Sequence, residues 1–220
     1  MIRAVIVDVD DTLCLTEAAS FDLENEVLAR MGRPPMSRAV HLATWGEILL
    51  DAMPHRSPGL DLDRFAALFP AAHQAYLAAG RLDVIPPENL RALDALVAAG
   101  RTVLLLTSRA EAEVEHLLVP DHALAGRVTG AYHQGNTSFR KPDPRAFDEL
   151  LAETGFRPGD CVYVGDSPGD AVAAAGAGIR FIACLQSGVR RLEDFDARHV
   201  TAVIETFAEL ATAVDALDND

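Results

Sequence analysis

Cysteine is scarce and poorly placed for pairing. The three residues, Cys14, Cys161 and Cys184, are odd in number, widely spaced and outside any CxxC arrangement, which speaks against a disulfide framework or a zinc site. They are expected to be small apolar filler in a reducing compartment. Basic residues are short as well: 19 Lys and Arg face 33 Asp and Glu, for a formal net charge of -14. Phosphate backbones are held by clusters of Lys and Arg, so nucleic acid is not an expected partner. No apolar run approaches the roughly 18 residues that would span a bilayer, and the opening MIRAVIVDVDD reaches Asp8 too early for a signal peptide. A cytoplasmic location with no membrane partner is the expectation. Neither a GxGxxG fingerprint nor a P-loop is present, which sets nucleotide binding aside. Aromatics are few, at 6%, yet half of the residues are apolar, which predicts a globular chain of helices packed through small side chains.

What is present is a recurring unit. A short apolar run is followed by a polar turn and a helix of 3.6-residue periodicity, the pattern of a parallel sheet covered by helices on both faces. Strands are read at residues 2–7, 102–106, 128–132 (the weakest), 161–164 and 180–185. A helix over residues 88–99 puts Leu90, Leu93 and Val97 on one side before Gly100, and one over 145–154 does so with Phe147, Leu150 and Leu151 before Gly155. A last helix over 207–217 closes the domain, and the terminal DND is expected to fray.

From residue 15 to about 82 the rhythm breaks, with helical patterns only: Leu23, Val27 and Leu28; Leu42, Trp45, Ile48 and Leu49; Phe65, Leu68, Phe69, Ala72 and Tyr76. Pro34-Pro35, Pro54 and Pro58-Gly59 punctuate them, and Pro70 is expected to bend or divide the third helix. The predicted fold class is α/β, a Rossmann-like doubly wound parallel sheet formed by residues 1–14 and 84–220, with a small helical domain of residues 15–83 inserted after the first strand.

In open parallel sheets, ligands sit at the carboxyl ends of the strands. The polar residues at those ends are Asp8, Asp10, Asp11 and Thr12 after the first strand, Thr107, Ser108 and Arg109 after the second, and Asp166, Ser167 and Asp170 after the fourth. Period-two alternation lets Asp8 and Asp10 face one ligand. With Asp166 and Asp170 they bring three or four carboxylates near one point. Their repulsion raises pKa values unless a hard, oxygen-preferring cation relieves it, and Mg2+ suits because it tolerates few protein ligands and binds substrate phosphate. Thr107 offers a hydroxyl donor, and Lys141 in the stiff RKPDP loop a compact positive charge, the groups that hold phosphoryl oxygens during transfer.

Four motifs in this order, DVDDT, LLLTS, KPDP with Phe147 three residues beyond, and VGDSPGD, resemble those of the haloacid dehalogenase superfamily, in its phosphatase branch with a helical cap after the first strand (subfamily I, phosphoglycolate phosphatase-like). The resemblance implies that Asp8 is a nucleophile forming an aspartyl-phosphate, and that Asp10 protonates the leaving oxygen and then activates water. It implies that Asp8 and Asp166 ligate Mg2+ with their carboxylates and Asp10 with its backbone carbonyl, and that Asp170 ligates or supports that shell. Thr107 and Lys141 would hold the phosphoryl group, with Ser108 beside them where the family often has Asn. Asp11 stands where the family often has glycine and is expected to cap the turn.

The implied activity is Mg2+-dependent hydrolysis of a small phosphorylated metabolite by a monomer or small homo-oligomer. A sugar phosphomutase would share every residue named. A dehalogenase does not need Asp10. A two-component receiver places its phosphorylated Asp on a later strand, where this chain has helical insertion. A non-catalytic phosphate- or metal-binding protein would be expected to have lost Asp8 or Asp10. Substrate choice is expected to lie in the insertion, where Arg33, Arg38, His41, Trp45, His55 and Arg56 stand. Trp45 is expected in its core, and the arginines are expected in solvent.

Overall fold

The structure, a computed structural model, describes residues 1–218. The chain forms two compact units, one of residues 1–14 and 85–220 and one of residues 15–84.

In the first unit six strands form one parallel sheet in the order β3-β2-β1-β4-β5-β6. They are β1 Ala4–Val7, β2 Thr102–Leu106, β3 Gly130–Tyr132, β4 Cys161–Gly165, β5 Arg180–Cys184 and β6 Ala202–Ile204. β1 lies at the centre, pairing with β2 on one side and β4 on the other, with Val7 opposite Leu105 and Val164. Strand alternation divides the core in two. Val5, Val7, Val103, Leu105, Val162 and Val164 face one layer, with Leu93 and Leu96 of α5 (Pro87–Ala98) and Leu210 and Val214 of α8 (Leu210–Leu217). Ala4, Ile6, Leu104, Leu106, Tyr163 and Phe181 face the other, with Leu150 of α6 (Asp148–Thr154) and Ala171 and Ala174 of α7 (Pro168–Gly176). Helices on both faces explain why the central strands read as unbroken apolar runs.

Several boundaries differ from expectation. β1 starts at Ala4, β3 keeps only three residues, and β6 had no sequence signal. The helices expected over 145–154 and 207–217 each open with a 3₁₀ turn, Pro144–Phe147 and Phe207–Glu209. Between β2 and β3 there are only two 3₁₀ turns, Glu111–Glu113 and Glu115–Leu117. Asn219 and Asp220 of the expected frayed tail lie outside the described residues. Asp218 is anchored: its carboxylate accepts from the Ile2 amide and, at 2.9 Å, from Arg101 Nη2.

The second unit is helical: α1 Glu17–Arg30, α2 Arg38–Ala43, α3 Leu49–Arg56 and α4 Leu62–Ala78. Leu23, Val27, Leu28, Met53, Phe65, Ala72 and Tyr76 form its core. Pro70 neither ends nor divides α4, which runs unbroken through it, and Pro54 lies inside α3. Packing of Phe65, Ala72 and Tyr76 on both sides of Pro70 outweighs the one lost hydrogen bond. The stripe from Leu42 to Leu49 is not one helix, since α2 ends at Ala43 and Ile48 is exposed.

The expected solvation of the arginines fails at Arg56, which is buried. Glu17 and Glu24, two turns apart on one face of α1, are the reason. Arg56 Nη1 donates to both Glu24 oxygens at 2.7 Å, Nε donates to Thr44 Oγ1 at 2.8 Å, and His41 Nδ1 sits 2.7 Å from Glu17 Oε1. Arg38 pairs with the other oxygen of Glu17. Trp45 is half-buried, with its ring 5.1 Å from that of His41.

Candidate active site

β1 is apolar along its whole length because it is buried between two strands and two helical layers, and Asp8 is the first polar residue where it ends. The Asp8 amide is held by Val164 O of β4 at 2.9 Å, which continues the sheet one residue past the strand. Lys141 Nζ reaches this point from the loop after β3. It donates to Asp8 Oδ1 at 2.8 Å, Asp170 Oδ1 at 2.5 Å and Tyr163 Oη at 2.8 Å. An ammonium has three protons, and all three are committed.

Asp170 stands in the first turn of α7 and forms a capping box with Ser167. Its Oδ2 accepts from Ser167 N at 3.0 Å and Ser167 Oγ at 2.5 Å, while Oδ1 accepts from Lys141 and from Tyr163 at 2.8 Å. Gly165 makes room for this carboxyl, since a Cβ there would lie 2.7 Å from Asp170 Cγ.

Asp8, Asp166 and Asp170 each offer a carboxylate oxygen within 4.8 Å of the others, and all three are buried. Lys141 pairs with Asp8 and Asp170, and with Asp166 alongside the four groups carry two formal negative charges. A divalent ion would neutralise these, and the oxygen-only donor set matches the preference of hard cations. The cluster could hold a metal ion. Electrostatics show the same imbalance. Burial, with repulsion from Asp170 and Asp10 and against the pull of Lys141, raises the Asp8 pKa to about 7. Burial and then Asp170, Asp8 and Asp11 raise Asp166 well above the carboxylate range. Burial works against the charge on Lys141, but Asp170 and Asp8 more than offset it, and its pKa is raised.

β1 ends at Val7, and Asp10 stands in the turn that follows, near enough to Asp8 to help raise its pKa. The Asp10 carboxylate pairs with Arg109, at 2.7 Å from Nη2 and 3.0 Å from Nε, while Arg109 Nη1 donates to Glu113 O at 3.2 Å. Asp11 has φ +54°, the left-handed region that Asp and Asn enter more readily than other side chains, which accounts for glycine as the alternative there. Thr107 is buried at the end of β2, its amide bonded to Tyr132 O at 2.9 Å, and Ser108 beside it is exposed.

Sequence reasoning passed over three things. Tyr163 was hidden because it lies in an apolar strand, where its hydroxyl leaves no trace in a hydrophobic pattern. The loop after β3 was read only for Lys141, yet Gln134, Thr137 and Arg140 line a small crevice with Thr107, Ser108 and Lys141. The third was a usable signal: Lys141 is the only lysine among the 19 basic residues of the sequence.

The sequence model of the haloacid dehalogenase-like hydrolases matches residues 2–178. A phosphoglycolate phosphatase of Xylella fastidiosa is 30% identical over 198 residues, covering 87% of this chain and 83% of that protein. Phosphoglycolate phosphatase 1 of Pseudomonas aeruginosa is 27% identical over 223 residues, covering 97% and 80%. The crystal structure of CbbY from Rhodobacter sphaeroides in complex with phosphate superposes with a TM-score of 0.77 at 24% identity, covering 96% of each chain, a likeness of fold.

Proposed function

Because the chain belongs to the haloacid dehalogenase-like hydrolases, we propose that it is a phosphatase that hydrolyses the phosphomonoester of a small metabolite, with Mg2+ as cofactor and Asp8 as nucleophile. The observation that carries this reading is the strand-end carboxylate of Asp8, bonded to a lysine whose other bonds go to Asp170 and Tyr163, with Asp166 alongside.

Asp8 attacks phosphorus in line with the leaving oxygen. The P–O bond to the alcohol breaks, Asp10 gives that oxygen its proton, and an aspartyl-phosphate remains on Asp8. Water then attacks phosphorus, the Asp10 carboxylate takes its proton, and phosphate departs with Asp8 restored. Asp10 must leave Arg109 to do this, and its side chain, about a third exposed, has room to turn. Lys141 and Thr107 hold phosphoryl oxygens whose charge changes little in position through both steps. Asp8 and Asp166 through their carboxylates, and Asp10 through its carbonyl, would hold Mg2+, which would supply positive charge to offset the carboxylates and the phosphoryl oxygens. Asp170, whose four acceptor positions are filled by hydrogen bonds, supports the site through Lys141.

The names of the relatives make 2-phosphoglycolate the first ester to try. Phosphate release from a panel of small phosphomonoesters, measured with Mg2+ and with EDTA, tests the reading. Release that requires Mg2+ is expected, and no release from any ester would contradict it.

A further inference from the structure

Tyr163 is fully buried in β4, its ring set edge-on to Phe147 at 5.1 Å and near Phe181 at 5.9 Å. A phenylalanine would fill the same space, and burying a hydroxyl costs free energy unless it is bonded. Here the oxygen is fully used. It accepts from Lys141 Nζ and donates its proton to Asp170 Oδ1, each at 2.8 Å, with Leu106 O a further acceptor at 3.3 Å. One phenolic oxygen thus ties together the end of β2, the lysine loop and the first turn of α7, which are otherwise far apart in sequence.

We propose that the Tyr163 hydroxyl is a positioning group that fixes the Lys141 ammonium for the phosphoryl group. This role rests on the phosphatase reading above and adds a residue to it. Of the three Lys141 bonds, the one to Asp8 must yield when a phosphoryl oxygen arrives between them. Those to Asp170 and Tyr163 can persist, and together they aim the remaining proton. Asp170 cannot do this alone, because one bond leaves the ammonium free to swing about it. Tyr163 also fixes Asp170 Oδ1 itself, so the two acceptors keep a constant separation.

Lys141 being the only lysine, protein grown on 15N-lysine carries one labelled side-chain ammonium, whose NMR resonance needs no assignment. Wild type and Tyr163→Phe are compared with Phe147→Leu, which loosens the same packing without removing a polar atom. The readouts are that resonance, the dissociation constant for inorganic phosphate in the Mg2+-loaded protein, and Tm. In Tyr163→Phe the resonance is expected to shift and broaden through faster proton exchange, and phosphate affinity to fall roughly 10- to 100-fold, the range of a hydrogen bond to a charged group. Phe147→Leu is expected to lower Tm while keeping both.

A Tyr163→Phe protein that keeps the wild-type resonance and binds phosphate within about twofold of wild type would overturn the proposal, and so would an equal loss of both in Phe147→Leu. A wild type that cleaves no ester, but whose lysine resonance and phosphate affinity depend on Tyr163, would count against the phosphatase reading and for the positioning of Lys141.

Discussion

At the scale of single residues, Lys141 and Asp11 show how little freedom the site has. Lys141 was readable from the Pro142 and Pro144 that stiffen the loop after it, and the structure gives its ammonium three partners. Asp10 was readable as a candidate carboxylate at the strand end, but its pairing with Arg109 was not, since one arginine among many carries no mark of its partner. Asp11 was expected to cap a turn, and its left-handed backbone at φ +54° is the more telling property. Asp11→Val should therefore cost about 1–3 kcal/mol of stability, whereas Asp11→Gly should change it by less than about 1 kcal/mol. Urea unfolding of the two variants beside wild type checks this, and equal midpoints for Val and Gly would remove the backbone argument.

Elements explain which parts of the fold were visible beforehand. The buried central strands were readable because unbroken apolar runs have few other homes, while β6, three residues at the edge, is shorter than any pattern that periodicity can detect. Pro70 misled because local propensity predicts a break, whereas α4 is held by packing that single-residue preferences do not contain. The same blindness applies to Arg56, whose burial depends on Glu24 from another helix. Arg56→Met should destabilise the helical unit by about 3–5 kcal/mol because it removes the guanidinium from the buried Glu24 carboxylate and leaves it only the His41 ring, 3.4 Å away, and adding Glu24→Leu should recover much of that loss. Thermal unfolding of the single and double variants measures it; a double variant that is worse by the sum of both changes would contradict this account. At the β4 to α7 turn, Gly165→Ala should displace the Asp170 carboxyl, since the new Cβ would sit 2.7–2.8 Å from its atoms. The expected result is weaker phosphate binding and lower Tm together, and unchanged values for both would show that the turn can absorb a methyl group.

For the whole molecule the governing fact is excess negative charge, both overall and at the site. Asp8, lifted by burial and by Asp170 and Asp10 from 3.8 to about 7, holds its proton in the folded, cation-free protein long after the unfolded chain has lost it. The folded state binds more protons between those two values, so this group's contribution to stability is present below about pH 4 and lost as pH rises through about 7. After EDTA treatment, wild type and Asp8→Asn should melt together near pH 4 and separate above pH 7, with wild type lower by roughly 5 °C. Mg2+ should raise the wild-type Tm more at pH 8 than at pH 5. A gap that does not change with pH would contradict the charge argument.

If Asp8 accepts the phosphoryl group, its replacement by Asn must stop turnover, which phosphate release by Asp8→Asn against wild type, with Mg2+, on the best ester of the panel measures. A folded variant with no release above the uncatalysed background is expected. Release at the wild-type rate would show that another group attacks phosphorus.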